Sequence, residues 1–493
     1  MTARFWAGAA APALMAALMA AGTASAQGAA REAGDCEALR NAVLEAAHVT
    51  TARVVGAVEE GPYGALPAYC EVRVRALPAI SMEVRLPMEE WNGGLYQTGC
   101  GGFCGILGRE DAQGVFINAM GPGLARGYAT ATSDSGHHGL SVVDATWASA
   151  NPQGERDWGW RSVPETNRAA LALIDAFYGE ALSGPAIFQG CSTGGRMAMR
   201  AALDGPEMFD GIIAGAPAMD YPGLVGTKMA YLLQANADAD GEPILGPGKE
   251  ALIHDAVLAQ CDAADGAEDG AIADPRACEA DLSGLACEAG GEGEGCLTEA
   301  EMGVVEAWRQ GPRNEEGVQL YPGGVPAGSE PFWPLWLTGT PEGAPPLLPA
   351  FAGGFGAYMA FEEDPGPSYD PLAFDLDEDP ARMAAAAETY NADDPDLSAF
   401  ADAGGRMLVW HGWADPLVTP FKTVEWHEAV GATIGEEARD EAVSLHMIPG
   451  LDHCGLLPGP DGIDQTSLDP LGALERWLET GEAPGTILRE AAE

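Results

Sequence analysis

Lysine is almost absent from this chain of 493 residues: only Lys228, Lys249 and Lys422 occur. Lys and Arg together number 25 against 74 Asp and Glu, giving a formal net charge of −49. A field of that sign repels phosphate backbones and anionic lipid headgroups, so nucleic acid and membrane surfaces are excluded as partners. It mildly disfavours polyanionic substrates and fits a salt-rich habitat. Long apolar runs are scarce as well. Ala7 to Ala21 is mostly apolar, but it is short for a bilayer span. Arg4 precedes it and Ala24-Ser25-Ala26 follows, so residues 1–26 read as a signal peptide with a small-residue cleavage site. No later stretch is long and apolar enough to cross a bilayer. Nothing in the sequence indicates an oligomeric state.

What is present is cysteine. Ten cysteines in an exported chain imply disulfides, whereas the same number in a cytosolic enzyme would suggest metal or redox chemistry. The number is even, so all can pair, and the expected location is secreted or periplasmic.

Strand and helix patterns run through most of the chain. Cys36 to Ala47 reads as a short helix and Arg53 to Ala57 as a strand. Alternation in Cys70 to Arg75 and Ser81 to Leu86 predicts antiparallel strands that open a mixed sheet. Further strands are expected at Gly94 to Thr98, Gly127 to Thr132, Pro185 to Gln189, Gly211 to Gly215, Arg406 to Trp410 and Ser444 to Ile448. Helical spacing marks Asn167 to Tyr178 and Gly195 to Leu203. Between about Asp220 and Asp394 this rhythm is lost. Four cysteines with Trp308, Trp333 and Trp336 argue for a folded insertion there rather than a linker.

Three separated segments converge on one chemistry. Gly190-Cys191-Ser192-Thr193-Gly194 is a G-x-S-x-G turn between a predicted strand and helix. Asp415 follows the strand Arg406 to Trp410, and His453 follows Ser444 to Ile448. The order Ser, Asp, His is that of α/β-hydrolases. A serine hydroxyl needs a base to remove its proton, and that base needs a carboxylate to fix its tautomer. Ser192, His453 and Asp415 are the candidates. Cys191 precedes the serine and Cys454 follows the histidine, so a Cys191–Cys454 bond would tie nucleophile and base together. Thr193 N–H is the first candidate oxyanion donor. The loop Gly99-Cys100-Gly101-Gly102 offers the second, from Gly101 or Gly102. His411 reads as structural; His137 and His138 follow a strand and are expected to make local hydrogen bonds.

Cys191-Ser192, Asp415 and His453-Cys454 resemble the CS-D-HC motif of the tannase and feruloyl esterase family, which includes a mono(hydroxyethyl) terephthalate hydrolase. Gly136-His137, the run His411 to Pro416, and Pro449-Gly450 are similar too. The resemblance covers most of the mature chain. It implies an α/β-hydrolase with a mixed sheet, helices on both faces and a large inserted lid. The boundaries are then 27–219 with 395–493 for the catalytic domain and 220–394 for the lid. It also implies a calcium loop at Cys261 to Ile272, in which Asp262, Asp265 and Asp269 give carboxylates and Ala267 and Ala271 give carbonyl oxygens. Gly266 and Gly270 would permit its tight turns. In this frame Cys36–Cys70, Cys261–Cys278 and Cys287–Cys296 are the further disulfides. Cys100 and Cys104 remain, either paired with each other or free, and they depart from the family pattern.

The family implies hydrolysis of esters of aromatic acids through an acyl-enzyme. Feruloyl and related hydroxycinnamoyl esters come first, then galloyl esters, with a terephthalate monoester as a narrower alternative. That monoester calls for a cation in the lid, where Lys228, Lys249, Arg276, Arg309, Arg313 and Arg382 are the basic residues. Phe332, Trp333, Trp336, Tyr358 and Phe361 are candidate pocket walls. A calcium-stabilised secreted binding protein without turnover is the alternative from another class.

Overall fold

Two-residue alternation decides which side of the sheet each strand side chain covers. In the computed structural model, Phe188, Ile212, Met407 and Val409 belong to one apolar cluster with Met197 and Ala198 of the helix Thr193–Asp204. Their neighbours Ile187, Ile213, Leu408 and Trp410 belong to a second cluster, with Leu471, Leu474 and Trp477 of the helix Pro470–Thr480. The central strands are therefore apolar on both faces and read as continuous runs, as buried parallel strands do. The structure describes residues 31–61, 64–107, 119–139, 141–288, 291, 293, 295–460 and 462–489. The predicted signal peptide lies outside them.

Nine strands form one mixed sheet: β1 (Ala47–Val55), β2 (Tyr69–Ala76), β3 (Ile80–Pro87), β4 (Leu95–Thr98), β5 (Ala129–Ser133), β6 (Ala186–Cys191), β7 (Gly211–Gly215), β8 (Arg406–Gly412) and β9 (Val443–Ile448). Their spatial order is β1-β2-β3-β5-β4-β6-β7-β8-β9. The pairs from β1 to β3, and β3 with β5, are antiparallel; every pair from β5 through β4 to β9 is parallel. This is the mixed sheet expected from the sequence, with helices on both faces.

Two local expectations need correction. The N-terminal helix is Ala33–Ala38 with a single turn Leu39–Asn41, not a helix to Ala47. The first strand starts at Ala47, earlier than Arg53, because it pairs with β2 from Ala47↔Ala76 to Val55↔Tyr69. Ala46 turns the chain with φ +50°, and its carbonyl accepts from Leu77 N–H. Pairing at the sheet edge thus overrides the helix propensity of Ala42 to Ala47.

Between β7 and β8 the chain runs through helices and turns without adding a strand to the sheet. Its aromatic residues join the first apolar cluster instead: Trp308, Trp333, Phe351 and Phe355 are all buried there. Trp308 packs edge-on against Trp333, and its indole N–H donates to Leu232 O at 2.9 Å. Arg196 is completely buried with no carboxylate partner among the described residues. It donates to Trp158 O, Gly159 O and Tyr390 O, and lies 4.1 Å from the Trp158 ring centre. Burial lowers its pKa to about 10.

At the end of β5, Asp134 ties that strand to β3. Asp134 Oδ1 accepts from Ser81 N–H and Gly136 N–H, each at 2.9 Å. Burial pushes its carboxyl from the ordinary 3.8 up to about 6, against the lowering effect of those two donors. A raised acid stabilises the fold below its unfolded pKa, and that contribution is lost as pH climbs through the folded value. Between pH 4 and 6 the wild type should therefore lose up to about 3 kcal/mol relative to Asp134→Asn. Urea titrations of both proteins at several pH values would read this; parallel curves would contradict it.

Candidate active site

Ser192 stands at the carboxyl end of β6, between two parallel neighbours. Asp415 and His453 follow β8 and β9 at the same edge, where open α/β sheets gather their functional groups. From Ala186 to Met199 every residue is buried except Ser192, which keeps partial exposure. Its backbone takes φ +63° and ψ −123°, a conformation that costs a non-glycine residue about 1–3 kcal/mol. Contacts on both sides hold it there. Ser192 N–H donates to Gly215 O at 3.0 Å, and Ser192 O accepts from Arg196 N–H and Ala218 N–H. A Cβ on Gly190 would come within 2.4 Å of the Gly194 carbonyl, and one on Gly195 within 2.4 Å of Gly215 O. Gly190 of the motif and Gly195 just after it are thus steric requirements of the sharp turn.

The Cys191–Cys454 disulfide is formed, with Cα atoms 6.0 Å apart. The Cα atoms of Ser192 and His453, each one residue from its bridging cysteine, are therefore no more than about 14 Å apart. The other four bridges are Cys36–Cys70, Cys100–Cys104, Cys261–Cys278 and Cys287–Cys296, so all ten cysteines are paired. Cys100 and Cys104, left open by the sequence, bond to each other.

Asp415 is fully buried and heavily hydrogen-bonded. Its Oδ2 accepts from His453 Nδ1 at 2.6 Å and faces His411 Nε2 at 3.1 Å; its Oδ1 accepts from Leu417 N–H and Val418 N–H, both at 2.9 Å. Burial alone would raise this carboxyl, but His453 and His411 hold it well below the usual carboxylate range. The bond to Asp415 places the imidazole proton on Nδ1 and leaves the Nε2 lone pair of His453 to act as a base.

His411, read from sequence as structural, is one of the supports of that carboxylate. Its Nε2 also contacts Val418 O at 2.9 Å, and its Nδ1 pairs with Thr423 Oγ1 at 2.8 Å. Two acceptors at Nε2 put the proton there and leave Nδ1 to accept from the threonine hydroxyl.

Lys228 belongs to the segment between β7 and β8, and no sequence pattern linked it to Asp415. Its ammonium is fully buried and donates to Pro416 O and Leu417 O at 3.2 and 3.0 Å. Burial lowers its pKa to about 8, partly offset by the Asp415 charge. It clamps the peptide segment whose amides hold Asp415. The segment between β7 and β8 also supplies Trp336, whose ring meets the His453 imidazole edge-on with centroids 5.3 Å apart. Asp452, next to His453, is buried, and burial followed by the Asp415 charge pushes its carboxyl well above the usual range.

On the oxyanion side, Thr193 N–H is an orphan donor at the first position of its helix. Thr193 Oγ1 donates to Gly102 O at 2.7 Å, joining the helix to the glycine loop. Gly101 and Gly102 N–H have no acceptor among the described residues. His137, expected to make local hydrogen bonds, stacks on Trp147 with ring centres 3.9 Å apart.

Among the candidate walls, Phe332 and Trp333 are buried in the core, and Tyr358 and Phe361 are half-buried. All six basic residues weighed for a substrate carboxylate are engaged. Beside Lys228, Lys249 donates to Gly293 O and Cys296 O, and Arg276 pairs with Asp274. Arg309 donates to Ala280 O beside Glu330, Arg313 to Gly317 O, and Arg382 pairs with Asp379.

In the loop considered for calcium, Asp262 accepts from Asp269 N–H and Gly270 N–H, and Asp269 Oδ1 accepts from Ala271 N–H. Both carboxylates thus accept from backbone amides of the same turn. Gly266 and Gly270 take φ +94° and +83°, as the tight turns require. Ala267 is exposed and Ala271 buried, and the Asp265 side chain lies outside the described part. No group of three His, Cys, Asp or Glu side chains that could hold a metal occurs among the described residues.

Sheet order, elbow and the Asp415–His453 pair define an α/β-hydrolase. Residues 65–493 match the family model described as tannase and feruloyl esterase, and the chain belongs to that family. It is therefore a carboxylic ester hydrolase. It is 34% identical to an uncharacterized esterase of Xanthomonas campestris, covering 86% of this chain and 77% of that one. To a mono(2-hydroxyethyl) terephthalate hydrolase of Piscinibacter sakaiensis it is 30% identical, over 86% of this chain and 78% of the other. The crystal structure of feruloyl esterase B from Aspergillus oryzae superposes with a TM-score of 0.79 at 25% identity, covering 92% of both chains.

Chain-entropy models assign the 263-residue Cys191–Cys454 closure about 5–6 kcal/mol and the 34-residue Cys36–Cys70 closure about 4. Replacing both cysteines of each pair by serine should lower unfolding free energy more for the first than for the second, as read in urea. Equal losses would contradict the long-loop account.

Proposed function

We propose that this protein hydrolyses esters of aromatic acids with Ser192 as nucleophile, His453 as base and Asp415 as the carboxylate that orients it. Ser192 Oγ attacks the ester carbonyl while its proton passes to His453 Nε2. The tetrahedral oxyanion takes hydrogen bonds from Thr193 N–H and from Gly101 or Gly102 N–H. The carbonyl re-forms, the alcohol leaves with the proton from His453, and the acyl group remains on Ser192. Water, deprotonated by His453, then releases the acid. The observation that carries this reading is the 2.6 Å contact between His453 Nδ1 and the buried Asp415 carboxylate, one residue from the sulfur bridge to the elbow.

Hydroxycinnamoyl esters such as feruloyl esters are the proposed substrates, with galloyl esters second. The feruloyl esterase B likeness supports this choice. The terephthalate relative favours a monoester with a free carboxylate, but the six basic residues between β7 and β8 are already engaged by the chain. We also propose that the segment 220–394 serves as a lid, since Trp336 and Lys228 from it reach His453 and the Asp415 loop. Five disulfides support export to an oxidising compartment.

Turnover of a chromogenic aryl ester should fall at least about a thousandfold in Ser192→Ala, with folding unchanged. Equal rates for the two proteins would return the reading to a non-catalytic binding protein. Among methyl ferulate, methyl gallate and mono(hydroxyethyl) terephthalate, kcat/KM should be highest for the ferulate; preference for the terephthalate would overturn the substrate choice.

Calcium in the Cys261 to Ile272 loop is proposed as a stabilising ion, supported by the hard carboxylate oxygens of Asp262 and Asp269 on one turn. A chelator should lower the melting temperature and added calcium restore it. An unchanged melting temperature would leave the loop as a solvated acidic turn.

A further inference from the structure

Oxyanion donors act only if they stay aimed at a point in space, and glycine-rich loops are poor at staying anywhere. The loop Gly99 to Gly105 holds glycine at positions 99, 101, 102 and 105. Gly102, Cys104 and Gly105 take φ of +55°, +65° and +81°, so the path depends on left-handed conformations at three of its last four residues. Close packing fixes part of it. A Cβ on Gly99 would come within 2.8 Å of Gly194 Cα, and one on Gly194 within 2.8 Å of Cys100 O. Gly99 N–H donates to Gln189 O, Phe103 N–H to Val142 O, and Thr193 Oγ1 to Gly102 O.

Only the span from Cys100 to Cys104 carries the unpaired amides of Gly101 and Gly102, and it is closed on itself by a disulfide of separation 4. Both sulfurs are buried, and Cys100 Sγ lies 3.3 Å from Ser135 Oγ and 3.5 Å from Met197 Sδ. Met197 is on the helix that Ser192 caps, and Ser135 follows β5. The bridge therefore fastens the loop to the elbow helix and to the neighbouring strand end together. A loop of this length closes for little entropy in the unfolded chain, so its main contribution is not global stability.

We propose that Cys100–Cys104 is a positioning disulfide for the oxyanion loop, setting transition-state stabilisation rather than substrate binding. This rests on the reading of Ser192 as nucleophile. Small misplacements of such donors cost rate far more than affinity.

The test compares wild type, Cys100→Ser/Cys104→Ser and the control Cys36→Ser/Cys70→Ser on an aryl ester, with phenylboronic acid as inhibitor. Ser192 Oγ adds to boron, its proton passes to His453, and boron becomes a tetrahedral anion that mimics the oxyanion intermediate. In the Cys100/Cys104 variant kcat should fall about tenfold or more while KM stays within about threefold. The boronate inhibition constant should rise by a factor similar to the loss in kcat, and the control should keep wild-type kcat. Should the serine pair fail to fold, Cys100→Ala/Cys104→Gly carries the same test, since glycine accepts the positive φ at 104. Wild-type kcat and boronate affinity in the variant, or a rise in KM alone, would overturn the inference. If Ser192→Ala is inactive while the loop variant turns over normally, only the loop inference fails. If Ser192→Ala is itself fully active, the reading of the whole site fails.

Discussion

A single covalent bond, Cys191–Cys454, joins the two chain segments on which everything at this sheet edge depends. Sheet register alone leaves β6 and β9 separated by β7 and β8, and the loops beyond them are free to diverge. The sulfur bridge removes that freedom, placing the strained Ser192 turn and the His453 loop on one short tether. The price of the elbow's unusual backbone is then met by hydrogen bonds to Gly215, Arg196 and Ala218 and by glycines that could not carry a side chain.

Around that tether, the charge of Asp415 is made tolerable in a fully buried place. Two amides and two imidazoles face its oxygens, and Lys228 holds the peptides that supply the amides. A buried carboxylate stays ionised when hydrogen bonds replace the water it has lost. Because Lys228 and Trp336 come from the segment between β7 and β8, that segment shapes the proposed base and its partner. Arg196 works in a related way, its guanidinium spending its donors on the carbonyls of Trp158, Gly159 and Tyr390.

Much of this is legible in the amino-acid sequence. Alternation in Cys70 to Arg75 and Ser81 to Leu86, and the apolar runs at Ile187, Ile212 and Leu408, located the strands because burial on one or both faces writes itself into residue type. Cysteines flanking Ser192 and His453 pointed to their juxtaposition. The edge strand from Ala47 was read short because its face toward solvent carries no pattern, and Ala42 to Ala47 reads locally as helix. Lys228 and His411 were harder. Lys228 meets carbonyls 188 and 189 residues away, and His411, though only four residues before Asp415, reaches it through a turn that residue type does not mark. Likewise His137 lies against the flat face of Trp147, a contact that no spacing rule encodes.

Mixing the enzyme rapidly with an aryl ester of an aromatic acid, quenching in acid and measuring the intact mass and its peptides tests the central claim most directly. The account expects a burst of one alcohol per enzyme and the acyl mass on the peptide containing Ser192. Steady turnover with no acyl mass on any peptide, or with that mass on a residue remote from the Cys191–Cys454 bridge, would contradict it.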